Sequence, residues 1–212
     1  MLGTLGIVGV VYLAATFFVM HFIQPELNPI DHQMSEYANG RLGWLVVSGD
    51  VVGGLGVLAL AIGLSRSLKP GKRVRTSVIL TSLVGLGFIG SGLFKTDIPL
   101  EDGTVGYTFS GQMHTLAGIV AFLSLIVASY MLAGVFVRDP RWQPFARTAR
   151  LFAWGILITF LGYLAAPIVG APGTGGIDGL AQRIFVAVVL TWLVWIGWHM
   201  RQPRAVASSD LD

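Results

Sequence analysis

Cysteine is absent from the chain, which excludes disulfides, thiolate metal sites and cysteine nucleophiles. Charge is scarce as well: Asp, Glu, Lys and Arg make up 12% of the residues, against roughly a quarter in soluble domains. No HExxH or comparably spaced metal motif occurs, and no Gly-x-Ser-x-Gly elbow. The GTGG at 173–176 is not followed by Lys-Ser/Thr, so it reads as loop punctuation and not as a phosphate cradle. The first apolar run has no basic residues before it and continues past Ala14 and Ala15 through Phe17 and Phe18, which argues against a cleaved signal peptide.

What the chain has in abundance is apolar length. Hydrophobic residues make up 54% of the 212, and the mean hydropathy is +0.72. Apolar runs recur at roughly 2–22, 44–64, 76–94, 113–136, 151–169 and 182–200. Each can cross a hydrocarbon core of ~30 Å. Backbone polar groups cannot stay unpaired in lipid, so runs of this length are predicted to be helices. The predicted fold is an all-α integral membrane protein, a six-transmembrane-helix bundle forming one domain over 1–200, with a disordered cytoplasmic tail at 201–212.

The loops after spans 2 and 4 and the C-terminal tail hold eleven of the fourteen Lys and Arg residues. The positive-inside rule therefore places both termini in the cytoplasm. The same rule accounts for the pI near 9.5 without nucleic acid. The basic run KPGKRVR is expected to meet anionic lipid heads. Most acids fall on the opposite, outer side. Gly49 and Gly53 form a GxxxG pair, and Gly87 and Ser91 a small-xxx-small pair, which predicts close helix contacts in a monomer or a homodimer seam.

The first outer connection, His21 to Trp44, is far richer than a linker requires. Asn28-Pro29 resembles a helix start and Gly40 a stop, with Ile30, Met34 and Tyr37 on one apolar face. A short amphipathic helix is predicted there, lying in the interface or folded over the bundle as a lid. Around it the outer ends of the spans carry His21, Lys95, Asp97, His114 and Arg183, and Asp50 lies deeper, in the outer third of span 2. An intramembrane acid costs at least ~2.5 kcal/mol, so Asp50 is expected to face the bundle interior or a wet cavity and to find a partner in Arg183, Lys95 or a histidine.

Ser35-Glu36-Tyr37-Ala38-Asn39-Gly40, Lys95-Thr96-Asp97, Gly111-Gln112-Met113-His114 and Gly179-Leu180-Ala181-Gln182-Arg183 occur in that order, each at the outer end of a span. In this the chain resembles the bacterial and archaeal multi-pass proteins catalogued as domain of unknown function 998, over about residues 5–200. The resemblance implies a six-helix membrane fold and no established activity. It singles out Ser35, Glu36, Tyr37, Asp97, His114 and Arg183.

These residues support three readings. In the first they form a cap, with Arg183 bridging Glu36 or Asp97, over a structural end or over a site for a lipid-like or small amphipathic ligand. In the second they form an enzyme. His114 or Glu36 acts as acid or base, Asp97 orients the histidine, Arg183 holds an anionic group and Ser35 is a nucleophile candidate. A zinc variant of that site uses His21, His114 and Glu36 or Asp97 as ligands. In the third, Asp50 with His21 or His114 carries protons or binds a cation in a transporter or sensor. Membrane lipids are the one class of partner common to all three.

Overall fold

The computed structural model describes residues 1–98, 106–169 and 176–202. Six helices, each long and apolar enough to cross a membrane, follow in order: α1 (Leu2–Ile23), α2 (Trp44–Ser67), α3 (Lys72–Leu93), α4 (Phe109–Phe136), α5 (Ala146–Val169) and α6 (Asp178–Arg201). Several start about a turn earlier than hydropathy alone predicts. The extra first turns bring in Lys72, Arg73 and Arg75 in α3, Ser110 and Gln112 in α4, Arg147, Thr148 and Arg150 in α5, and Asp178 in α6, residues too polar for the hydropathy pattern to include. The expected tail beyond residue 202 and most of the GAPGTGG loop lie outside the described residues.

Each helix packs against its neighbours in sequence, and α6 returns to α1, so the bundle is a ring closed in chain order. The start of α1 meets the end of α6, where Gly3 approaches the Gly197 carbonyl and Met200. At this same end Arg141, in the α4–α5 connection, donates through Nη2 to the Met200 and Gln202 carbonyls at 3.1 and 3.0 Å. Those carbonyls are among the last of α6 and have no partner inside the helix. Both termini and the basic connections therefore share one end of the bundle. The first connection and the starts of α2, α4 and α6 share the other, called here the lid end.

The glycine pairs are used inside the chain. A Cβ on Gly9 would sit 2.7 Å from the Val52 carbonyl oxygen and 2.8 Å from the Gly56 Cα. A Cβ on Gly53 would lie 2.8 Å from the Leu13 side chain, and one on Gly87 would lie 2.7 Å from the Ala117 carbonyl oxygen. In lipid, where apolar burial contributes little between helices, such backbone approach is the main source of packing attraction. One side of the ring, α1 to α4, is thus closely fitted. The α4–α5 side is different: a Cβ added at Gly118, which lines the space there, meets nothing within 4 Å.

Gly9→Ala should therefore lower unfolding stability in detergent micelles by ~1–3 kcal/mol through overpacking. Gly118→Ala should be neutral or stabilising by up to ~1 kcal/mol, the helix-propensity gain. Equal losses at both positions, measured by thermal unfolding, would contradict this picture of one tight and one open side.

Candidate functional site

The connection between α1 and α2 folds back over the lid end as a lid. Its helix is a 3-10 helix over Met34–Asn39, starting five residues later than Asn28-Pro29 suggested. Asn28 does not cap it. Its Oδ1 instead accepts from the Ile30 N–H at 3.0 Å, and its Nδ2 donates to Asp31 at 3.0 Å, which makes a turn. Helix initiation falls to Gln33, whose N–H donates to Glu36 Oε1 at 2.8 Å, half of a capping box. Met34, Tyr37 and Ala38 are buried beneath the lid, while Ile30 stays exposed.

The lid is held chiefly by α6. Gly179 is obligatory there, because a Cβ would collide with the carbonyl oxygens of His32 and Pro29. The backbone contact it allows lets the Leu180 N–H donate to the Ile30 carbonyl at 3.0 Å. One turn on, buried Gln182 accepts from the Met34 N–H at 2.6 Å. Beside it, the Arg183 guanidinium spreads four hydrogen bonds. Nε donates to His21 Nε2 at 3.0 Å, Nη1 to the carbonyls of His32 at 2.7 Å and Gly179 at 3.0 Å, and Nη2 to the Tyr37 hydroxyl at 3.1 Å. Tyr37 is fully buried, and its hydroxyl donates onward to the Leu27 carbonyl. His21 Nδ1 lies 2.8 Å from the Phe17 carbonyl and must be the protonated nitrogen, which leaves Nε2 free to accept from Arg183.

The ion pairs expected from sequence do not form. Among the described residues no carboxylate lies within pairing distance of Arg183. Glu36 pairs instead with His32 Nδ1 at 2.7 Å. Asp97 does not orient His114 either. It accepts from the Thr108 N–H at 3.1 Å and the Thr108 hydroxyl at 2.6 Å, while the Thr108 hydroxyl oxygen caps α4 by accepting from the Gly111 N–H. Gly111 has no Cβ because one would collide with the Asp97 carboxylate. His114 serves the end of α3: its Nδ1 donates to the carbonyls of Ser91 and Phe94 at 3.0 and 2.9 Å. With Nδ1 as donor, the neutral ring keeps a lone pair on Nε2. The zinc set of His21, His114 and a carboxylate is not assembled, since His21 already accepts from a guanidinium. Among the described residues no group of three His, Asp or Glu is placed to hold a metal.

Beneath the lid lies an inner cavity of about 520 Å³, within the range of small-molecule sites. Its polar wall, at the lid end, includes Gln33, Ser35, Thr96, His114, Gln182 and, deepest, Asp50, with Ser91, Thr115 and Tyr163 also lining the cavity. Asp50 has none of its expected partners. Among the described residues nothing hydrogen-bonds its carboxylate, which keeps surface open to the cavity. The rest of the wall is apolar, with Phe17, Phe88, Phe122, Phe160 and Val186 among its residues. Ile119, Leu123 and Leu164 line the cavity and are also half-exposed on the outside of the ring. They mark a lateral mouth between α4 and α5, the side where Gly118, itself in the cavity wall, leaves room.

A second, outer cavity of about 670 Å³ lies on the other side of the lid. Gln33, Ser35 and Thr96 border both cavities, so these three neutral residues form the partition. Of the candidate residues, then, Ser35 lies in the partition, Glu36 and Asp97 border only the outer cavity, and His114 borders only the inner one. Tyr37 and Arg183 border neither. Sequence reasoning missed Gln24, Gln33, Gln182 and Tyr163. Buried Gln24 donates to the carbonyls of Tyr37 and Arg41 at 2.9 and 2.7 Å, and the Tyr163 hydroxyl donates to Gln33 Oε1 at 3.2 Å.

A ring of six membrane-length helices with a lidded internal cavity defines a multi-pass integral membrane protein. The chain belongs to the family described as protein of unknown function, DUF998, whose model matches residues 7–199. No curated protein and no solved structure matches it. The family motifs thus acquire structural meanings: Gly179 to Arg183 is the dock for the lid, Gly111 to His114 ties α3 to α4, and Ser35 to Gly40 is the lid helix itself.

Arg183→Met should cost ~3 kcal/mol of unfolding stability, since it leaves His21, Tyr37 and two carbonyls without their donor. Amide hydrogen exchange in residues 31–40 should speed up more than in the helices. A lid as protected in the variant as in the parent would show that Arg183 does not hold it.

Proposed function

We propose that the protein binds a lipid-like or small amphipathic ligand in the inner cavity, taken from the surrounding membrane through the α4–α5 mouth. The observation that carries this reading is the cavity's division into a polar lid end and an apolar remainder that reaches the lipid-facing surface. Pockets of this kind, mostly apolar with a few convergent polar groups, are the usual form of a small-molecule site. The matching spacing on three helices supports it. His114, Gly118 and Phe122 on α4, Phe160 and Leu164 on α5, and Gln182, Val186 and Leu190 on α6 each recur every four residues and turn one face to the cavity.

The enzyme built from His114, Asp97 and Arg183 has less support, because these three side chains do not share a site. We assign the lid end to the outer side on the strength of the basic residues gathered at the opposite end, and the membrane to a prokaryote's plasma membrane on the resemblance to bacterial and archaeal proteins alone.

Lipid extraction and mass spectrometry of the purified protein tests the reading. The parent should retain an amphiphile through detergent exchange. Gly118→Leu, whose side chain enters the mouth where there is space for it, should fold with parent-like stability and lose most of that amphiphile. A folded parent that carries none, or a variant that carries as much, would refute the proposal.

A further inference from the structure

We infer that the ligand's polar end is cationic: the inner cavity is built for a lipophilic amine, a single apolar chain ending in an ammonium group. The inference rests on the amphiphile site proposed above and adds the sign of its headgroup.

Two separate features support it. The first is Asp50. A carboxylate at this depth in a membrane protein is costly unless something answers its charge, and such residues normally pair with a cation, with one another or with backbone groups. Among the described residues Asp50 has no partner, and no Lys or Arg lines the cavity. Its polar neighbours, Gln33, Ser35, Gln182 and the Nε2 lone pair of His114, all offer acceptors that an ammonium's hydrogens can use. An anionic headgroup would meet Asp50 with like charge, and the one arginine nearby is unsuited to hold it. Arg183 borders neither cavity and has four of its five N–H groups committed.

The second feature is the outer cavity. Glu26, Asp31, Glu36, Asp97 and Asp178 line it, with no Lys or Arg among the described residues. His32, in the same wall, is paired with Glu36. A concave surface lined by one sign of charge concentrates the opposite ion. Only the neutral partition of Gln33, Ser35 and Thr96 separates this field from Asp50. Both cavities therefore favour positive charge at the lid end, while the α4–α5 mouth accepts the chain.

Decylamine, decanol and decanoate, matched in chain and differing in headgroup charge, serve as probes. Their uptake is measured on the full chain in nanodiscs, with uptake by empty nanodiscs subtracted. The expected order is amine over alcohol over carboxylate, with the amine at least tenfold tighter than the alcohol. Asp50→Asn should remove that preference by bringing decylamine binding down to the level of decanol, whereas Asp50→Glu should retain it. If decanol binds the parent as tightly as decylamine, the charge assignment is overturned while the amphiphile site stands. If none of the three binds above empty nanodiscs, and Gly118→Leu behaves as the parent does, the site itself is overturned and this inference with it. The comparison of the three probes on the parent does not depend on any variant folding.

Discussion

The lid end depends on one guanidinium. Arg183 is the point at which α1, the lid and α6 meet, through His21, the His32 carbonyl, Tyr37 and Gly179. Hydrogen bonds from a charged donor are about twice as strong as neutral ones, and the planar fork of arginine reaches several acceptors at fixed angles where lysine offers a point charge. All the acceptors used here are neutral. The positive charge is therefore spent on orienting dipoles and is not cancelled by a local carboxylate. That arrangement keeps the acids of the lid end free to line the outer cavity, and it roofs the inner one without contributing a side chain to it.

A second constraint gives the bundle its asymmetry. Glycine backbones bring α1, α2, α3 and α4 together so closely that little space remains between them. Across the ring, α5 is held by larger side chains such as Phe122 against Phe160 and Tyr130 against Trp154, and Gly118 leaves its share of the gap unfilled. Interiors tolerate few voids larger than water, so a cavity of about 520 Å³ must be bounded by something that resists collapse. Here the resistance comes from the lid's hydrogen bonds at one end and from Phe122 and Phe160 in the wall, which pack on each other and on buried Phe185 behind them.

Much of this was legible in the amino acids and some was not, for physical reasons. Apolar length gives the helices because lipid leaves the backbone no alternative. Asp50 stands out because an intramembrane acid is expensive wherever it occurs. Pairings were not legible. Arg183 was expected to seek Glu36 or Asp97, yet carbonyls, a histidine and a phenol satisfy the same donors, and sequence does not say which acceptors the fold brings within reach. Asp97 was expected, in the enzyme reading, to orient His114, since both stand at outer ends of spans. Thr108, ahead of a long apolar run, is a helix cap, and Asp97 secures it. The glutamines escaped notice because attention fell on titratable groups. An uncharged amide at a membrane helix end has the same need for partners, and Gln24, Gln33 and Gln182 carry much of the lid's fixation.

In the proposed binding mode an amphiphile sits inside the ring with its chain passing between α4 and α5. Photolabelling with decylamine or decanol carrying a diazirine at the chain's far end, followed by peptide mapping, tests it most directly. The account expects labels concentrated on α4 between Gly118 and Leu123 and on α5 between Phe160 and Leu164, and expects excess unlabelled amphiphile to compete them away. Labels spread evenly over the lipid-facing surfaces of all six helices, and insensitive to competitor, would contradict it.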